Sequence, residues 1–164
     1  MSLSVEDLLE HLAYSAWASQ RLVHAASELT EAELLRDFQT SDRSVLGTLV
    51  HTFAADRVWL ARMRRSPHLQ YSSEADYHLP VLQNDWPELH RQWNEWLTDL
   101  SDEAVRADLS YHDMRGNVWT QPIGKLVLHV VNHATHHRGQ VSGFLRVMGK
   151  VPPVLDLVAF YRLR

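Results

Sequence analysis

The chain has 164 residues, a formal net charge of −4 and no cysteine. That length suits one domain over 1–164 with a core of its own, and a hydrophobic share of 45% beside a charged share of 22% is the composition of a globular chain rather than a disordered one. The acidic balance argues against nucleic-acid or anionic-membrane partners, and the lack of Cys excludes disulfides, Cys-ligated zinc and any thiol nucleophile of its own.

The N-terminal MSLSVEDLLEHLAYSAW lacks the basic start and unbroken apolar stretch of a secretory signal, and no apolar run reaches membrane-spanning length. The expected location is therefore the cytoplasm. Helical spacing begins at once. From about Val5 to Glu28, Leu8, Leu12, Ala16, Val23 and Ala26 share one face, with Glu6 and Asp7 suiting the helix dipole. A second helix is expected from about Ser44 to Arg64, with Ser41, Asp42 and Ser44 as possible caps. Its stripe is Leu46, Leu49, Val50, Phe53, Leu60 and Ala61. Ser66-Pro67 stops it, and residues from about Pro67 to Asp85 read as a long loop.

The third helix is expected to start near Asp85, with Pro87 in its first turn and Trp86, Leu89, Trp93, Trp96, Leu97 and Leu100 as its stripe. Residues from about Leu109 to Gln121, with Arg115-Gly116-Asn117, read as a short hairpin or irregular loop. The fourth helix follows from about Pro122 to Met148, capped by Gly149, and a short last helix spans about Leu155 to Tyr161. Four long helices with one short addition predict an all-α, four-helix bundle.

Eleven residues are His, and four of them lie in helix four, at 129, 133, 136 and 137. At about 100° per residue, Leu126, Val130, His133, His137, Val141, Phe144 and Met148 fall within a sector of roughly 80°. His133 and His137 thus point into the apolar face, while His129 and His136 lie to one side with Asn132. Two imidazoles one turn apart in an apolar stripe are costly unless their nitrogens find partners, and one divalent cation satisfies both. The best third ligand on another helix is His51, whose neighbours one turn away, Gly47 and Ala55, leave room for an ion and a substrate. His11 and His24 sit on polar edges, His68, His78 and His112 in loops, and His90 on the wet side of helix three. There is no His-Glu-x-x-His, no Glu-x-x-His and no Gly-rich nucleotide loop.

These residues resemble the DinB superfamily, also called the DinB/YfiT-like metalloenzymes. The strongest segment is Leu128-His-Val-Val-Asn-His-Ala-Thr-His-His-Arg-Gly-Gln-Val141, followed by Pro-Pro-x-Leu-Asp-Leu from Pro152. Tyr14-x-x-Trp17-Ala18, Leu49-Val-His51 and Asp56-Arg57-x-Trp59-Leu60 add to it. One departure is Ser19, where the family often carries Asn. The resemblance implies a four-helix bundle holding a divalent metal on three His, which carry over to His51, His133 and His137.

Three neutral ligands leave Zn2+, Ni2+, Mn2+ or Fe2+ with open positions, the mark of a catalytic rather than a closed structural site. The resemblance implies a transferase that activates a low-molecular-weight thiol cosubstrate against a small-molecule electrophile. It also implies a possible homodimer. The alternatives are a hydrolase using bound water and a non-catalytic metal-binding stress-response bundle. Around the ligands, Gln140 is expected to orient a ligand or water, with Asn132 and His136 flanking the site. Asp156 is a candidate partner for an imidazole's second nitrogen, and Arg138 is expected to pair with Asp56 or Asp156. Trp59 and Trp119 are candidate pocket walls or core residues.

Overall fold

A computed structural model describes residues 3–163. Seven helices and one hairpin appear among the described residues: α1 (Val5–Ser27), α2 (Glu31–Leu34), α3 (Val45–Met63), α4 (Leu79–Thr98), α5 (Asp102–Arg106), β1 (Asp108–His112), β2 (Val118–Pro122), α6 (Ile123–Val147) and α7 (Leu157–Tyr161). The long helices α1, α3, α4 and α6 form the bundle. α1 packs on α4 and α6, and α3 packs on the same two, so α1 and α3 lie across the diagonal. Among the described residues no helix is long and apolar enough to cross a membrane.

The helix starts follow from capping chemistry. Ser4 accepts from the Asp7 amide while Asp7 reaches back to the Ser4 amide, and Ser44 accepts from the Gly47 amide. Buried Leu8, Leu12, Ala18, Leu22 and Ala26 carry the core face of α1. Ala16 is only half-buried, because the inward face is centred on Ser15 and Ser19 instead.

The third long helix begins earlier than the sequence suggested. α4 starts at Leu79 with Pro80 in its first turn, and Pro87 lies inside it. Pro87 has no N–H for the Gln83 carbonyl, a loss typically worth about 3 kcal/mol. The helix runs through it because Leu82 and Trp86 before it, and Leu89 and Trp93 after it, are all buried on one face. Burial of four large apolar groups, at about 1.5–3 kcal/mol each, outweighs one missing hydrogen bond.

Two buried polar groups tie helices together. Asp56 of α3 accepts from the Trp86 indole at 2.8 Å, and its backbone carbonyl accepts from the Trp93 indole at 3.1 Å. Arg57 bonds both carboxylate oxygens of Asp76, at 2.9 and 3.0 Å, and the carbonyls of Gln70 and Tyr71. This pins the connection between α3 and α4 against α3. The guanidinium holds the Asp76 carboxyl below the usual carboxylate range.

The hairpin read from Arg115-Gly116-Asn117 is real. β1 and β2 pair antiparallel with Ser110 opposite Thr120, and Gly116 takes a φ of +83° in the connection. β2 runs directly into α6. The hairpin thereby lays Tyr111 against Trp59 of α3, with ring centres 5.0 Å apart.

Candidate metal centre

α3 and α6 are neighbours in the bundle, and their facing stripes carry the histidines. Nε2 of His133 lies 3.2 Å from Nε2 of His51 and 3.2 Å from Nε2 of His137. His51, His133 and His137 are the group of possible metal-ligating side chains found among the described residues. His129 and His136, one step around α6, are exposed, as is Asn132.

The outer nitrogens fix which inner atoms are lone pairs. Gln140 presents its amide oxygen 2.7 Å from Nδ1 of His137, so Nδ1 carries the hydrogen and Nε2 faces inward bare. Asp42, in the connection before α3, places one carboxylate oxygen 3.5 Å from Nδ1 of His51 and the other 3.7 Å from Nδ1 of His137. A carboxylate there favours hydrogen on both outer nitrogens. Nε2 of His133 then faces two lone pairs, and a single hydrogen can serve only one of them. A cation between the rings answers all three. Two nitrogens at 2.0–2.1 Å from one tetrahedral ion stand roughly 3.3–3.4 Å apart, close to the separations seen. The donor set therefore fits a divalent metal.

Electrostatics favour ligands that are already neutral. Burial, then the neighbouring His137 and His51, push the His133 pKa down to about 4. Burial also lowers that of His137, against the opposing pull of Gln140. The consequence for the metal-free protein has a definite sign. Between about pH 6.5 and 4 the unfolded chain takes up a proton at position 133 that the folded chain refuses, so stability falls as pH falls through that window. Urea midpoints at pH 7, 5.5 and 4.5 should show this fall, and His133→Gln should flatten it. Equal slopes in the two proteins would contradict the assignment.

A family model described as the DinB family matches residues 1–164. The chain belongs to the DinB family. It is 22% identical over 145 residues to Protein DinB of Bacillus subtilis (strain 168), covering 83% of each chain. Its fold is like that of a DinB-like protein of Bacillus cereus ATCC 10987 solved by crystallography. There the TM-score is 0.68 at 22% identity, covering 94% of this chain and 99% of the other.

Several surroundings of the site in this DinB-family chain differ from the sequence reading. The carboxylate beside the rings is Asp42, whereas Asp156 is exposed at the start of α7. Arg138 pairs with neither Asp56 nor Asp156. It is buried between α1 and α6, donating to the hydroxyls of Ser15 at 2.9 Å and Thr135 at 2.8 Å, with Tyr14 beneath it. His90 is not on a wet face. Its side chain is 9% exposed, stacked on Trp86 one turn away and 3.6 Å from Asp56. Gly47 leaves no room for an ion, because a Cβ there would stand 2.0 Å from the Asp42 carbonyl oxygen. The missing side chain instead admits the backbone that carries Asp42. Gln140 does orient a ring, as anticipated. Trp59 walls the cleft beside His51, while Trp119 is half exposed on the hairpin and donates to Asp113.

Proposed function

We propose that this chain is a divalent-metal-dependent transferase whose metal is held by His51, His133 and His137. The observation that carries the reading is the convergence of three Nε2 atoms, with no fourth protein ligand in the group among the described residues. Three protein ligands leave positions for a reactant, as catalytic sites do. Zn2+, Ni2+, Mn2+ and Fe2+ all accept such a set. When bound, the cation lowers the pKa of a thiol or water that reaches it and so supplies a nucleophile near neutral pH.

The protein's own groups supply orientation and enclosure. Gln140 accepts from the outer nitrogen of His137, and the Asp42 carboxylate, 3.5 Å from that of His51, favours hydrogen there too. A cleft of about 290 Å³ opens beside His51, walled by Trp59, Tyr71 and Met114, and it suits a small-molecule electrophile. With no cysteine in the chain, the nucleophilic sulfur belongs to a low-molecular-weight cosubstrate. Family membership supports a shared fold and site; it does not set the reaction.

The test is turnover of a model electrophile by metal-loaded protein, with and without added thiol. Turnover that needs both metal and thiol supports the transferase. Turnover with water alone replaces it with a hydrolase. Stoichiometric metal with no turnover replaces it with a binding bundle.

A further inference from the structure

The cleft beside the triad has a second pole. It runs along the outer strip of α3, over Ala54, Ala55 and Val58, from His51 at one end to Arg62 at the other. Eleven residues at 100° each return to nearly the same face, so the two ends lie about 16 Å apart along the helix axis at their Cα atoms. Arg62 is the charged side chain opposite the histidine, and among the described residues no carboxylate lines the cleft.

Arg62 is held differently from the arginines that pair with acids. Arg43, Arg57 and Arg91 each bond a carboxylate. The Arg62 guanidinium is held by aromatic faces instead, 4.7 Å from the Trp59 ring centre and 5.4 Å from that of Tyr111. One nitrogen donates to the His112 carbonyl at 3.0 Å, and Nε is buried without a partner among the described residues. The aromatic and carbonyl contacts fix the guanidinium's position without neutralising its charge. A planar, positioned and uncompensated guanidinium at the end of an apolar channel is the chemistry that recognises a carboxylate.

We propose that Arg62 binds a carboxylate at the far end of the substrate, so that the cleft takes an elongated small molecule with an apolar middle and an anionic terminus. Which end of the molecule faces the histidines rests on the metal-site reading above. The contact between Arg62 and the anion does not.

Titration calorimetry on protein loaded with zinc tests this, using 8-mercaptooctanoate against 8-mercaptooctan-1-ol as probes. A charge-assisted contact predicts that the acid binds roughly 10- to 100-fold tighter than the alcohol. Arg62→Met keeps the aliphatic stem and should bring that ratio close to one, while Arg62→Lys should retain part of it. Arg64→Met, outside the cleft, should leave it intact. A ratio near one in the unaltered protein, a ratio that survives Arg62→Met, or no binding of either probe overturns the proposal. Zinc content measured on the same samples separates the two readings. Zinc present with no acid preference defeats the role of Arg62 alone. A preference that depends on Arg62 in a chain that takes up no zinc defeats the metal site alone.

Discussion

His133→Ala should abolish stoichiometric metal while leaving the bundle folded. His133 is the ring whose Nε2 faces both others at 3.2 Å, so its removal leaves two nitrogens and an incomplete site. The loss in affinity should exceed the roughly 10- to 100-fold typical of removing a partner that only supports a ligand. The fold should survive, because alanine is the best helix former and the large core side chains Trp86, Trp93, Leu49 and Leu126 lie elsewhere. Metal analysis after dialysis, beside far-ultraviolet circular dichroism, reads both outcomes. Unchanged metal content in a folded variant would remove His133 from the site.

Two substitutions that touch no ring should weaken the same site. Asp42→Asn keeps the shape of the side chain and removes the charge that stands 3.5 Å from His51 and 3.7 Å from His137. Metal affinity should drop roughly 10- to 100-fold. Gly47→Ala acts on the same carboxylate from behind. Its new Cβ would meet the Asp42 carbonyl oxygen at 2.0 Å, and the obstacle is backbone rather than the end of a flexible side chain. The connection before α3 must shift, carrying Asp42 with it. Overpacking of this kind costs about 1–3 kcal/mol of stability, measurable by urea denaturation, together with a similar loss of metal affinity. If chelator competition finds the affinity of both variants unchanged, Asp42 has no hold on the rings.

The histidine pair on α6 was legible because a helix repeats. His133 and His137 fall in one apolar sector at fixed angular steps, and His51 occupies the facing stripe of α3. Asp42 carried no such signal. It lies in a connection flanked by Gln39 and Arg43, both at positive φ, where no period relates sequence to direction. The start of α4 was hidden by a local rule that lost to a global one. Pro87 breaks helices in isolation, yet four large buried side chains spaced on both sides of it keep the helix whole. The burial of Arg138 and His90 was likewise invisible. Charge alone suggests a solvated face, while their burial depends on hydroxyls and an indole supplied by other turns and other helices.

His51 and His133 stand 82 residues apart in the chain, yet their ring nitrogens nearly touch. An ion gripped by both would act as a removable cross-link between distant parts of the polypeptide, closing a long loop that the denatured chain leaves open. Resistance to heat would then track the concentration of free metal, and a melting curve alone would rank competing ions by how tightly each is held.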